Sequence, residues 1–441
     1  MRQPSFFDGE RMNMRESIEL SLASLREYIP RHRHIVLMFS GGKDSAAAMT
    51  FTLWAIATGR VPLPASITVV LADTRLELPP LMRTALLLLD EAKEAGASCG
   101  VRVETRVVVA PVDERILVYM LGRGVPPATN MTMRWCTRLA KGDPMQAAMM
   151  DLVGALGSVL TITGLRQGES AVRDRRINTV CSTKGGECGA GLYQRTAEKR
   201  AAAVLAPLLH WRACHIWEWN FAWAPLEEYG GWSTRLVAEV YGIDSPDEKD
   251  SLEEIDERAR TGCISCFCVE EDLATQRVVR MPAWSHLAPV LELKALWRRL
   301  RRHDVRLRKP GGELRKDGRL AAKQHRVGPL ILSARLDALE HVIDVQLRVN
   351  AAARELGRPG IDILNAEEEA RIRELIAANT WPEKWTGEEP LATAPFEENG
   401  QRLLAFGESE VVNLFVDDET ADAMGGVGGD EQLVTLGVRR G

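Results

Sequence analysis

No run of about 18 uncharged apolar residues occurs in this chain, so the sequence holds no expected membrane span. The first residues, MRQPSFFDGERMNMRES, carry charges where a secretory signal needs its apolar core, and a cytoplasmic location is expected. Internal repeats are absent, and no cysteine follows Cys268. A formal net charge of −5 argues neither for nor against a nucleic-acid partner, because the local distribution of charge matters more than the total. In a cytosolic setting the eight cysteines read as metal ligands or catalytic thiols rather than disulfides. At 441 residues the chain exceeds one ordinary domain.

What is present is first of all the stretch Ser40-Gly41-Gly42-Lys43-Asp44-Ser45. It follows the apolar run Ile35-Val36-Leu37-Met38-Phe39 and opens a segment of good helix formers, Ala46-Ala47-Ala48-Met49. The run reads as a buried strand. Two glycines let the backbone turn and approach a ligand without a Cβ in the way. A helix starting there aims unpaired N–H groups and its positive dipole end at a phosphate. Lys43 adds a cation, and Ser40 and Ser45 add hydroxyls. The spacing is neither the Walker Gly-x4-Gly-Lys-Ser/Thr nor the Rossmann Gly-x-Gly-x-x-Gly. It resembles the PP-loop of the ATP pyrophosphatases, which cleave ATP between the α and β phosphates.

An amphipathic helix over about 10–28 precedes this loop. Strands at 35–39, 67–72, 101–109 and 158–163 then alternate with helices at 44–58, 79–95 and 145–156. Such alternation predicts an α/β fold, a doubly wound and mostly parallel sheet with helices on both faces. Ligands of these sheets lie beyond the carboxyl ends of the strands.

Three further sites follow predicted strands. Asp73-Thr74, with Glu77, is either a helix N-cap or a carboxylate that helps hold Mg²⁺ or a ribose hydroxyl. Behind a PP-loop, Asp-Thr resembles the matching motif of the phosphoadenylylsulfate reductase branch. Met133-Arg134-Trp135-Cys136-Thr137-Arg138-Leu139-Ala140-Lys141 sets one thiol among cations, which favours thiolate. Gly164-Leu165-Arg166-Gln167-Gly168-Glu169-Ser170, followed by Arg173, is either a polar turn or an anion site. Arg166 and Arg173 are seven apart and could share a helical face suited to phosphate or sulfate oxygens. Both strings resemble that reductase-like branch, as does Pro207-Leu208…Trp211…Trp217, whose tryptophans read mainly as packing.

The stretch 174–198, with Cys181 and Cys188, reads as a mobile loop over the site. Beyond it, Gly262-Cys263-Ile264-Ser265-Cys266-Phe267-Cys268 puts three thiols in six residues. The Cys-x2-Cys spacing lets two thiolates converge on one metal centre. With Cys136 these supply the four sulfurs of a 4Fe–4S cluster, or of zinc as the alternative. Some members of the resembled branch place a cluster between these two positions. Trp135 departs from the reductases' tandem cysteines. Cys268 is the candidate fourth ligand, with Cys188 and Cys214 as possible substitutes.

Between 297 and 326 basic residues dominate: Arg298, Arg299, Arg301, Arg302, Arg306, Arg308, Lys309, Arg315, Lys316, Arg319, Lys323 and Arg326. This density suits contact with a phosphate backbone. Helices are expected over 332–356 and 365–379, completing a basic α-helical extension over 271–385. From 386 the chain reads as an acidic tail with one short strand at 411–416. The division predicted is thus an N-terminal helix at 1–33, a PP-loop domain at 34–270, the extension, and the tail.

Taken together, these motifs resemble the DndC-type proteins of bacterial DNA phosphorothioation, including the SspD group, over about 35–385. The resemblance implies an ATP pyrophosphatase using Mg²⁺ that adenylates a DNA backbone phosphate, with Lys43, Asp44, Ser45, Arg166 and Arg173 as catalytic residues. Ser40, Gly41, Gly42, Asp73 and Gly164 would complete the nucleotide site. It also implies a cysteine desulfurase as sulfur donor and other phosphorothioation proteins as partners. A sulfonucleotide reductase would need a catalytic cysteine near the C-terminus, which counts against that reading. A tRNA-thiolating enzyme and a non-enzymatic iron–sulfur subunit binding nucleic acid are the remaining alternatives.

Overall fold

The computed structural model describes residues 12–129, 134–168, 174–175, 177, 192–195, 202–242, 262–315, 317–321, 324–398, 401–406 and 414–417. The chain forms two compact units. The first takes residues up to Asp73, Glu77–Val109 and Lys141–Cys263; the second takes Thr74–Leu76, Ala110–Ala140 and Ile264 onward.

In the first unit, helix α1 (Met14–Tyr28) begins at Asn13, whose side chain accepts from the Glu16 amide while Glu16 accepts from the Asn13 amide. This reciprocal cap satisfies two N–H groups that the helix itself leaves unpaired. There follow β1 (His34–Phe39), α2 (Lys43–Ala57), β2 (Ser66–Asp73), α3 (Pro79–Cys99), β3 (Val103–Val109), α4 (Asp143–Leu156), β4 (Val159–Ile162), β5 (Leu192–Arg195), β6 (Ala202–Ala206), α5 (Ala213–Glu218) and α6 (Arg235–Val240). The six strands lie in the order β3-β2-β1-β4-β6-β5. All pair in parallel except β5, which runs antiparallel to β6.

Period-two alternation assigns the side chains to two faces. Ile35, Leu37 and Phe39 of β1, with Ile67, Val69 and Leu71 of β2, pack into the larger core with α1, α2 and α3. Val36, Val70 and Val159 point the other way, onto Leu152 of α4. Nearly all of α2 is buried, so it reads as apolar all round rather than amphipathic. Phe51 and Trp54 from α2 meet Trp219 at ring-centroid distances of 5.1 and 5.5 Å. The tryptophans at 211 and 217 are also core, as expected.

One expectation changes here. Part of the stretch read as a loop over 174–198 is the edge strand β5, pairing Tyr193 with Leu205. Its four residues are too few to show a period in the sequence. Cys181 and Cys188 lie outside the described residues.

The second unit holds α7 (Leu273–Arg280), α8 (Glu292–Arg299), β7 (Arg306–Arg308), β8 (Val327–Leu330), α9 (Leu332–Glu355), α10 (Ala366–Ala377), β9 (Phe396–Glu398), β10 (Gln401–Phe406) and β11 (Leu414–Asp417). The expected C-terminal helices are present. Between α8 and α9, however, the basic stretch is a β-hairpin rather than helix. Gly311, Gly312 and Gly318 have φ of +100°, +72° and +79°, values that break a helix and suit turns. In the tail the expected strand is joined by two more: β9, β10 and β11 form an antiparallel sheet. No described helix is long and apolar enough to cross a membrane.

Candidate nucleotide site and cysteine centre

The loop from Ser40 to Ser45 joins the end of β1 to the start of α2, at the place where strand order reverses, since β1 lies between β2 and β4. Gly41 has φ +75°, in the left-handed region that favours glycine. Gly42 is the N-cap of α2 and has no side chain with which to cap it. Hydroxyls tie the loop: the Ser40 amide donates to Ser45 Oγ (3.1 Å), the two hydroxyls lie 2.9 Å apart, and Ser45 Oγ donates to the Gly42 carbonyl at 2.9 Å. Gly164, after β4, backs directly onto the loop. A Cβ there would come within 2.5 Å of the Asp44 carbonyl oxygen.

Asp44 is the electrostatic centre. Its Oδ2 accepts from Lys43 Nζ at 2.8 Å and its Oδ1 from Arg166 Nε at 2.5 Å. Lys43 and Arg166 are both buried, at 7% and 2% exposure. Burial pushes the Asp44 carboxyl up, but the two cations outweigh it and hold it below the ordinary carboxylate range. The structure thus brings Lys43, Asp44, Ser45 and Arg166 together. Arg166 stands in the irregular segment after β4, not on a helix, so the shared helical face is not formed. Arg173, with Glu169 and Ser170, lies outside the described residues.

Three further residues hold Lys43: Asn220 and Tyr241, to which no motif pointed, and Trp217, which the sequence read mainly as packing. Fully buried Asn220 donates from Nδ2 to the Lys43 carbonyl at 3.0 Å, while its own backbone carbonyl accepts from Thr234 at 2.6 Å. The rings of Trp217 and Tyr241 lie 5.9 and 5.6 Å from Lys43 Nζ, giving it aromatic faces in place of water. The cradle, with its glycine backbone, uncapped helix start and two buried cations, suits the phosphates of a nucleotide.

Asp73 ends β2, and its described electrostatic neighbour is Lys141. Burial alone would lower the Lys141 pKa. Glu77, 2.8 Å away, together with Cys263 and Asp73, raises it. Cys263 lies in the first unit, where its backbone bridges to that of Glu77.

The other three candidate cysteines lie in the second unit. Cys136 Sγ is 3.8 Å from Cys268 Sγ, and Cys268 also hydrogen-bonds to Cys266. These bonds hold Cys136 and Cys266 below the ordinary thiol range and push Cys268 above it. The largest cause is this thiol triplet, with Thr137 contributing at Cys136; Arg134 and Arg138 are exposed. Trp135, where the reductases carry the first of two cysteines, stacks on Phe267 with centroids 5.8 Å apart.

The turn carrying Cys266 is tightly braced. Ser265 has φ +47°, held by its amide donating to Thr275 Oγ1 at 2.9 Å. The Cys266 amide donates to Asp272 (2.7 Å), and Lys294 donates to the Cys266 and Val269 carbonyls. The thiolate-rich donor set suits an iron–sulfur centre or zinc. No group of three or more His, Cys, Asp or Glu among the described residues is arranged as it stands to hold a metal. Cys214 is exposed on α5.

A profile of the phosphoadenosine phosphosulfate reductase domain matches residues 34–223, and supports a reductase-like PP-loop domain in that part of the chain. Among solved structures, the chain is similar to the phosphoadenylyl-sulfate reductase of Candida auris, in a phosphate complex (12% identity, 47% of this chain and 85% of that one, TM-score 0.27). It is also similar to the U34-tRNA thiolase NcsA of Methanococcus maripaludis with its [4Fe-4S] cluster (13%, 59% and 84%, TM-score 0.31). A third likeness is to the NAD+ synthetase of Burkholderia pseudomallei (16%, 61% and 87%, TM-score 0.30). Likenesses at this level say nothing of substrate. None of the curated proteins compared with the chain matches it.

Proposed function

We propose that the chain is an ATP pyrophosphatase of the DndC/SspD type that adenylates a DNA backbone phosphate for sulfur insertion. The observation that carries the activation step is the Lys43–Asp44–Arg166 group at the mouth of the Ser40–Ser45 cradle, with Gly164 closing its floor. A non-bridging phosphate oxygen attacks the α-phosphorus of ATP, the α–β bond breaks, and pyrophosphate leaves. The DNA oxygen, now bonded to AMP, is a good leaving group. Sulfur from a cysteine desulfurase partner, freed as hydrosulfide when a thiol reductant cleaves the carrier persulfide, then attacks that DNA phosphorus, forming the P–S bond and expelling AMP together with that oxygen.

Within this reading Lys43 and the N–H groups of the loop stabilise charge on the departing pyrophosphate. Asp73, at the end of β2, would help hold Mg²⁺, which would screen the triphosphate. Arg166, and Arg173 beyond the described residues, would hold the acceptor. Cys136, Cys263, Cys266 and Cys268 would hold the cluster, which supplies soft iron sites for sulfur handling when bound.

Pyrophosphate release from ATP by metal-reconstituted protein tests the proposal. Release that depends on DNA is expected, with loss in Lys43→Ala. Release that depends on tRNA but not DNA, or none with any acceptor, would sink it.

A further inference from the structure

The basic stretch of the second unit separates into cations that build the fold and cations that face outward. Arg301 and Arg308 are buried, at 6% and 1% exposure. Arg301 donates to the Ala128 and Phe267 carbonyls, and Arg308 to those of Ala392 and His325. Arg306 donates to the Gly328 carbonyl at 2.8 Å, and burial with Arg301 and Arg308 nearby lowers it to about 10. Lys309 pairs with Glu389 (2.7 Å), and Arg326 pairs through two bonds with Glu313 (2.8 and 2.9 Å). These side chains are already engaged as braces and counter-ions inside the unit.

The hairpin that they brace continues outward. Its backbone ladder runs from Arg306 opposite Leu330, through Lys309 to Arg326 and Ala321 to Glu313, to the Arg315 amide donating to the Arg319 carbonyl at 2.7 Å. Near its end Leu314 and Leu320 are bridged across the two strands, yet they are 57% and 63% exposed. One position further out, Arg315 and Arg319 are exposed and have no side-chain partner among the described residues. Gly318, at φ +79°, makes the turn. The ribbon shows two leucines to solvent, and two guanidiniums that have no side-chain partner among the described residues.

We propose that this tip, through its described residues Leu314, Arg315, Arg319 and Leu320, is a DNA-docking finger that inserts into the major groove of a B-form duplex. The inference rests on the DNA reading of the proposed function and adds the residues that make the contact. A two-stranded ribbon fits the major groove of B-DNA, about 12 Å wide, whereas that of A-form RNA is too deep and narrow for side chains to read. Arg315 and Arg319 contact phosphates or guanine edges, and Leu314 and Leu320 supply the apolar contact that thymine methyls accept.

The test is binding of the full-length chain to a labelled DNA duplex across a salt series, beside an RNA duplex of the same sequence. Arg315→Ala/Arg319→Ala is expected to weaken DNA binding about tenfold at low salt and to flatten the slope of log K against log salt by about two. Leu314→Ala/Leu320→Ala is expected to weaken binding with an unchanged slope. Arg315→Lys/Arg319→Lys should restore the slope, which separates charge loss from misfolding. Unchanged DNA affinity in the arginine pair, or equal losses on RNA, overturns the finger while leaving ATP chemistry untouched. If wild-type chain binds no duplex at all, the DNA reading falls with it; retained pyrophosphate release on another acceptor would show that the cradle itself stands.

Discussion

Asp44 Oδ1 accepts from Arg166 Nε at 2.5 Å, joining the first turn of α2 to the segment after β4. The same carboxylate holds Lys43, so one anion neutralises two buried cations. Nucleotide phosphates entering the cradle would take over that neutralisation.

Asp44→Asn therefore takes a shared carboxylate away from two buried cations, at a cost of about 3 kcal/mol in denaturant unfolding. Pyrophosphate should restore more stability to this variant than to the wild type, because it supplies the missing negative charge. Equal stabilisation of both proteins would contradict the exchange. The depressed Asp44 pKa also gives a sign. Its stabilisation is full above the unfolded value of about 3.9 and is lost as pH falls through the lower folded value, a component that Asp44→Asn should abolish.

Gly164→Ala places a methyl about 2.5 Å from the Asp44 carbonyl oxygen, against the backbone of the Asp44–Ser45 peptide. The loop must shift, at about 1–3 kcal/mol of stability. Misplacing the cradle by a fraction of an ångström should lower pyrophosphate release by about 100-fold. Kinetics beside a melting curve check this; full activity would show that the floor is not closed by this contact.

Burial holds His210 down at about 4, against the pull of the Ser17 carbonyl that its Nε2 meets at 3.0 Å. The unfolded chain takes up this proton near pH 6.5 and the folded one only near 4. Stability is thus present above 6.5 and falls between these values by about 2–3 kcal/mol. His215, bonded to the Met12 carbonyl and also lowered chiefly by burial, acts in the same direction. Chemical unfolding from pH 7 to 4 should show the loss, and His210→Gln should flatten it.

Metal analysis after reconstitution addresses the thiols. Cys136→Ser, Cys266→Ser and Cys268→Ser are each expected to lower bound iron and its visible absorption, whereas exposed Cys214→Ser leaves both unchanged. Lys294→Met removes the brace on the Cys266 and Val269 carbonyls, and should weaken metal affinity by about tenfold. Zinc in place of iron would select the alternative centre.

Much of this protein is written locally. Apolar alternation in Ile35–Phe39 and Ile67–Leu71 assigns β1 and β2 to a two-faced sheet, because neighbouring side chains on a strand must point oppositely. The glycine spacing at Ser40–Ser45 specifies a phosphate loop, since backbone turning and helix start involve only adjacent residues. Asn13 and Asn365, each with a glutamate three positions on, mark the starts of α1 and α10.

What chain folding alone decided is which distant groups meet. Asn220 reaches the Lys43 carbonyl across 177 residues, and no local pattern distinguishes it from any other buried amide. Likewise, a run of arginines looks the same whether its members face water or donate to carbonyls. Arg301, in the turn after α8, and Arg308, on β7, went inward, while Arg315 and Arg319, near the far end of the hairpin, stayed out. Propensity and spacing act over a few residues, so they determined the elements and the loop. Burial and charge pairing act through space, so only the tertiary structure settled which cations are braces and which carboxylate holds Lys43 and Arg166.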